Sequence, residues 1–285
     1  MQCKTEESVF MLVLKQNYSY AETEEGYEIY MPGGDGYFRY TLKHIVKPYT
    51  DGGTHQNQDL YRLHNLYLCR KTENGFENIY DFPLTTTGEW ECAFKIEDTP
   101  DFHGGFHGYE HQKDFCVTTH EDSFEVTQSS EIYLQGTRDE LVALHQKHYR
   151  FREGTLFLHQ SLLWKRPVRI NRAFLTMLPI RRLEGDFQIT DTVLFRGETF
   201  DVSCAGHQTK VSSGSREIGS EITVLGRKSG ILATVTSSPE KRVSIQNTPA
   251  YNKVYYYYTS DSEVKEGDLW EMDSTYRFEY TDPRG

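Results

Sequence analysis

From Val9 to Tyr280 the chain is a succession of short runs in which apolar and polar residues alternate, separated by breaks rich in Gly, Pro, Asn and Asp. A period of two sends successive side chains to opposite faces, which fits a half-buried strand and not a helix. In Tyr37–Val46, for example, Phe38, Tyr40, Leu42 and Val46 alternate with Tyr37, Arg39, Thr41 and Lys43, behind a turn at Pro32-Gly33-Gly34-Asp35-Gly36. His44 falls on the apolar side and is expected to be a hydrogen-bonded core histidine. Similar runs include Ser123–Gln128, Glu131–Gly136, Phe187–Phe195, Ile231–Val235, Arg242–Ile245 and Val254–Tyr258. The one helical signal is Thr137–Leu144, with Thr137 at the N-cap and Glu140 at the capping-box position. The pattern predicts an all-β fold, a large antiparallel β-sandwich (jelly roll or supersandwich) with almost no helix, as a single domain over residues 1–285. No fixed-period repeat is visible, which argues against a solenoid or propeller.

Composition narrows the function classes. A net charge of −11 opposes non-specific binding to nucleic acid or to an anionic membrane. The five cysteines, Cys3, Cys69, Cys92, Cys116 and Cys204, are odd in number, widely spaced and without a C-x-x-C pair, so they read as free thiols. The N-terminal apolar run Val9–Leu14 is too short for a signal or membrane segment. A cytoplasmic or particle-borne protein is expected, unless a leader has been removed. Twenty tyrosines suit half-buried sheets, and aromatic faces also suit the apolar faces of sugar rings.

Three constellations stand out. Asp101-Phe102-His103-Gly104-Gly105-Phe106-His107-Gly108-Tyr109-Glu110-His111 concentrates three imidazoles, three glycines, a phenol and two carboxylates. The i, i+4, i+8 histidine spacing would align on a helix, but each glycine costs a helix about 1 kcal/mol relative to alanine. The segment is therefore expected to be a loop, with no metal and no cofactor, in which the glycines let the backbone approach a ligand. His107 or His103 is the expected general base or acid. Lys165–Arg172, with Arg181 and Arg182, places six cations between 165 and 182 with no acid among them. Arg169 and Asn171 share one strand face and Val168 and Ile170 the other. Guanidinium groups grip carboxylates bidentately, so the strip fits an acidic sugar, while pairing with the protein's own acids is the alternative. Last, Val254–Tyr258 reads as a strand with phenols on both faces.

The piece Phe102–Gly105 resembles the H-G-G segment of galactose mutarotase-like proteins, which implies a β-supersandwich. Their second signature, an H-x-Y-F-N-type segment, is represented only by the departing His159-Gln160-Ser161-Leu162, and no terminal catalytic glutamate can be placed. The His, Tyr, Arg and Asn inventory resembles that of β-sandwich polysaccharide lyases, although the Y-x-K-x-G-x-Y-x-Q motif is absent. The lyase resemblance implies β-elimination on an acidic polysaccharide or oligosaccharide. In that reading Arg169 and Asn171 neutralise the uronate carboxylate, His107 or His103 takes the α-proton, and Tyr109 protonates the leaving oxygen. Arg172 and Trp164 complete the expected substrate contacts. The alternatives are an aldose epimerase using His103 and His107, and a non-catalytic carbohydrate-binding or phage-tail-type module that relies on aromatic rings.

Overall fold

Residues 11–47, 58–86, 91–95, 109–134, 139–206, 211 and 217–283 are described by the structure, a computed structural model, and among them every regular element is a strand. The first five form a meander: β1 (Val13–Leu14), β2 (Ser19–Thr23), β3 (Gly26–Gly33), β4 (Gly36–Lys47) and β5 (Gln58–Thr72), each antiparallel to the next. Three short strands follow, β6 (Gly75–Asn78), β7 (Thr85–Thr86) and β8 (Glu91–Lys95). Long hairpins then run through β9 (Tyr109–Thr119), β10 (Ser123–Tyr133), β11 (Leu141–Arg152), β12 (Thr155–Trp164) and β13 (Val168–Arg181). The last third holds β14 (Leu183–Glu184), β15 (Phe187–Gln188), β16 (Thr192–Phe195), β17 (Glu198–Asp201), β18 (Ile218–Leu225), β19 (Ile231–Asn247), β20 (Tyr251–Val264) and β21 (Leu269–Tyr280).

The all-β expectation therefore holds, but the ladders do more than stack two open sheets. They close on themselves through β5, β9, β10, β11, β12, β21, β19, β20, β13, β7 and back to β5. Strands β1–β4 extend outward from β5. Closure depends on two short links: the parallel contact Gln58↔Glu110 and Asp59↔His111 between β5 and β9, and the two-residue β7, which joins β13 to β5. Among the described residues every other ladder between strands is antiparallel, as short turns between consecutive strands require.

Several local expectations are corrected. The helix expected over Thr137–Leu144 is absent: Leu141–Leu144 opens β11 and pairs with β10 and β12. Thr137 itself lies outside the described residues. Ser123–Gln128 and Glu131–Gly136 are one strand through Tyr133, because the irregularity falls at Lys113 of the partner β9, skipped between Gln112 and Asp114. Ile231–Val235 and Arg242–Ile245 are also one strand, which pairs with β21 through Ser238 and with β20 from Arg242. Phe187–Phe195 divides into two strands, β15 and β16.

An aromatic chain joins the layers. Tyr40 meets Phe151 and Phe278 edge-on, Phe124 meets Phe151, and Tyr20 and Tyr27 lie against Phe124. Full burial of each such ring contributes about 1.5–3 kcal/mol from area alone. The β3–β4 turn is fastened to the C-terminal strand: Asp35 N–H donates to Tyr280 O at 2.8 Å, and a Cβ on Gly34 (φ +64°) would stand 2.3 Å from that oxygen. Glycine is required there on both counts.

Cys69, Cys116 and Cys204 are free, as expected. Cys69 is buried in β5, and burial pushes its thiol up to about 11, whereas Cys116 and Cys204 are exposed. Brief iodoacetamide treatment of the native protein near pH 7, followed by peptide mapping, should modify Cys116 and Cys204 and spare Cys69 until urea is added. Early modification of Cys69 would contradict the burial of that face of β5.

Candidate functional site

The parallel contact between β5 and β9 assembles a group of side chains that no local motif announces. Asp59, at the start of β5, lies between two imidazoles. His44 Nε2, from the end of β4, is 2.9 Å from Asp59 Oδ1, and His111 Nδ1, from β9, is 3.2 Å from Asp59 Oδ2. The two histidines are each 39% exposed and the carboxylate 29%, so the group is shielded yet open to a solute. Two residues before His111, the buried Tyr109 places its hydroxyl 3.5 Å from the same Nδ1, with the two rings stacked. Beneath them Tyr61 stacks on His44 at 5.0 Å and on Phe115 at 3.9 Å. Burial, then the charge of Glu22, raises the Tyr61 phenol and keeps it neutral. His44 is thus not the core histidine expected from alternation: β4 runs on past the covered part of the sheet, and Val46 beyond it is 63% exposed.

The carboxylate fixes what each imidazole can do. Accepting a hydrogen bond at Oδ1 and Oδ2 selects the tautomers that carry hydrogen on His44 Nε2 and His111 Nδ1. The basic positions are then His44 Nδ1 and His111 Nε2. An imidazole oriented by a carboxylate is a group able to take and return a proton near neutral pH.

Behind the site, Glu110 points the other way along β9. Its Oε1 accepts from Ser130 Oγ at 2.6 Å and lies 2.8 Å from His145 Nδ1, and both the acid and the imidazole are wholly buried. On the solvent side, Glu131 pairs with Lys113 at 2.6 Å and accepts from Tyr133.

Of the residues singled out by sequence, Tyr109 stands in this group, and His111 closes the same glycine-rich stretch. His103 and His107 lie outside the described residues. Arg169 and Asn171 are exposed on β13, with Val168 and Ile170 buried, as the alternation predicts; Arg172 is exposed too, where the register with β8 shifts between Ile170 and Arg172. Arg169 stands across the ladder from Glu263. Leu66 pairs with Thr85 and Thr85 with Ile180, so β13 runs parallel to β5. Asp59 and Arg169 therefore both lie toward the starts of parallel strands, at one end of the circuit. Trp164, expected to touch substrate, is 1% exposed and packs edge-on against Trp270, which makes it a core ring. Asp59 was missed because its partners come from β4 and β9. The available hint was position: His44 and Asp59 flank the polar, Gly-rich stretch Pro48–Asn57.

Three further cations of the basic strip, Arg166, Arg181 and Arg182, are structural. Arg166 pairs with Glu140 at 2.5 Å. Arg181 lies between the Phe82 and Tyr251 rings and donates to Pro83 O and Tyr251 Oη. Arg182 is buried and donates to the backbone oxygens of Thr248, Pro249 and Ser203.

No protein-family model and no curated protein matches the chain. Solved structures do align with it. A galactose 1-epimerase from Lactobacillus acidophilus aligns at 10% identity and a TM-score of 0.40, over 95% of this chain and 98% of that one. A galactose mutarotase-like protein from Clostridium acetobutylicum aligns at 12% identity and 0.45, over 90% and 96%. A GH36 α-galactosidase from Geobacillus stearothermophilus aligns at 9% identity and 0.49, over 89% of this chain and 41% of that one.

The two classes of arginine should separate in urea denaturation. Arg182→Met leaves three carbonyls without their donor and should cost about 2–4 kcal/mol. Arg169→Met, at an exposed position, should stay within about 0.5 kcal/mol of wild type. Equal losses would erase the distinction.

Proposed function

We propose that this chain is a carbohydrate-active protein of supersandwich type that opens and recloses the ring of an aldose at its anomeric carbon, in the manner of an aldose epimerase. The observation that carries the reading is the Asp59 carboxylate held between His44 and His111, with the Tyr109 hydroxyl beside them. Mutarotation asks for little else. One group removes the proton from the anomeric hydroxyl while another delivers a proton to the ring oxygen. The bond from the anomeric carbon to the ring oxygen breaks, giving an open-chain aldehyde. Rotation about the next carbon–carbon bond presents the other face of the carbonyl, and on reclosure the first group gives its proton to the carbonyl oxygen while the second takes one from the hydroxyl that adds back. Nothing is oxidised, and no cofactor enters the balance.

In this assignment His111 Nε2 is the base and His44, once protonated at Nδ1, is the acid, with the order reversed for reclosure. Asp59 holds both rings and stabilises whichever one is charged. Tyr109 contributes a hydrogen bond at the edge of the site. His103 and His107, on the segment leading into β9, are assigned to substrate hydroxyls. Arg169, Asn171 and Arg172 are assigned to the rim at the same end of the circuit.

This reading is preferred to β-elimination on an acidic glycan for a physical reason. Elimination needs a cationic clamp on the uronate beside the base. Arg169 instead has Glu263 across its ladder, and opposite charges in such pairs attract one another, which weakens the hold on an external carboxylate. A neutral hexose needs no clamp.

Two experiments bear on the choice. Polarimetry of freshly dissolved α-galactose and α-glucose should show catalysed mutarotation by wild type. Asp59→Asn should lower the rate by about 100-fold or more, the usual scale for removing an oriented acid–base group. Arg169→Met should change it little. An uncatalysed rate with the whole panel of aldohexoses would refute the proposal. In parallel, ultraviolet absorbance on uronate polysaccharides should stay flat, and a rising signal from an unsaturated product would restore the elimination reading.

A further inference from the structure

The face of β2–β5 that carries Ala21, Glu28, Thr41 and Asn65 has a groove of about 470 Å³, which Tyr27 of the aromatic chain also lines and which none of His44, Asp59, Tyr109 and His111 lines. Cross-strand register builds its walls in two rows. Ala21, Glu28, Thr41 and Asn65 stand side by side across β2, β3, β4 and β5, and Tyr30, Arg39 and Tyr67 form the next row. Gly26, between Thr23 of β2 and Lys43 of β4, has φ +144°, and a Cβ there would stand 2.0 Å from Leu42 O, so β3 can lie this close to β4 only without a side chain.

The polar groups are already fixed by one another. Glu28 Oε1 lies 3.1 Å from an Arg39 terminal nitrogen, and Glu28 Oε2 accepts from Tyr30 Oη at 2.6 Å. Burial, followed by the bond to Glu28, raises the Tyr30 phenol, so it remains a donor. The Arg39 guanidinium carbon lies over the Tyr67 ring, 4.4 Å from its centroid. Asn65 donates to Tyr67 Oη at 3.4 Å, and its backbone N–H is held by Thr41 Oγ1 at 2.9 Å. At the near end Tyr30 stacks on Phe76 at 4.2 Å, with Tyr37 edge-on to the same ring. The groove is thus a rigid array of planar donors and acceptors bordered by aromatic rings, the combination that recognises a ring with polar edges and apolar faces. Preorganisation of this kind lowers the ordering cost of binding.

Charge selects the ligand further. The two cations in the groove each have a carboxylate, Arg39 with Glu28 and Lys43 with Glu25. Glu24 adds a further acid at the rim. An anion would have to compete with these carboxylates, whereas each Glu28 oxygen keeps a lone pair for a hydroxyl. We propose that this groove is a binding subsite for neutral pyranose units of an oligosaccharide, separate from the His44–Asp59–His111 group. The assignment deepens the carbohydrate reading above and rests on it for the class of ligand, but not on the ring-opening chemistry.

Calorimetric titration of the full chain with cellotriose, maltotriose and trigalacturonate provides the test. At least one neutral trisaccharide should bind, and trigalacturonate should bind more weakly or not at all. Tyr67→Ala should weaken the neutral ligand about tenfold or more, and Glu28→Gln, which keeps the shape of the groove, should do likewise, as loss of a charged hydrogen-bond acceptor does. Asp59→Asn should leave this affinity unchanged, and circular dichroism checks that each variant is folded. The subsite is overturned if no neutral trisaccharide binds, if binding survives both groove variants, or if trigalacturonate binds best. The two proposals fail separately. Groove-dependent binding by a chain without mutarotase activity keeps the subsite and removes the ring-opening function, and the converse result removes the subsite alone.

Discussion

Two residue pairs between β5 and β9 decide most of what this molecule can be. The parallel contact Gln58↔Glu110 and Asp59↔His111 closes, together with β7, the circuit of strands and brings Asp59 to His111. So short a parallel ladder has little stability of its own, since parallel pairs are slightly weaker per residue than antiparallel ones. It is held from inside by Glu110, whose Oε1 binds both Ser130 and His145 where all three are buried. A buried acid and imidazole are costly to desolvate and tolerable only when well bonded, which makes them poor general glue but good determinants of register. A slip of β9 by one residue would turn Glu110 toward the site and His111 toward the interior. The buried acid and the site are therefore two faces of one constraint.

This explains which features were legible in the sequence. Alternation is a local signal, and it found the strands, the exposed face of Arg169 and Asn171, and the phenols on both faces of β20. It failed where a local cue met a long-range partner. Ser129-Ser130 looks like a break, but β9 absorbs the irregularity at Lys113 and β10 continues, which is what turns Ser130 toward Glu110. Ser237, Ser238 and Pro239 look like the end of a strand, but they mark the point where β19 leaves β21 for β20. Leu141–Leu144 has good helical propensity, and two flanking ladders override it.

The site was half legible for the same reason. Tyr109 and His111 belong to a conspicuous run of imidazoles and glycines. Asp59 and His44 belong to ordinary strands and acquire meaning only through the partners that closure gives them. His44 shows how an alternation rule can be right about the face and wrong about burial: it lies on the predicted side of β4, beyond the point where the neighbouring layer ends.

The arginines show that composition alone does not define a ligand. Between 165 and 182 the sequence offers six cations without an acid, and read by itself the segment invites an anion. The fold distributes them otherwise. Arg182 goes to backbone carbonyls, Arg181 to two aromatic rings and a carbonyl, Arg166 to Glu140, and Arg169 faces Glu263. The same happens on the face of β2–β5, where Arg39 and Lys43 are matched by Glu28 and Glu25. In an acidic chain most cations find an internal partner, and a charged ligand would have to displace one. An uncharged ligand rich in hydroxyls avoids that competition, because it bonds to lone pairs and N–H groups that the ion pairs leave over.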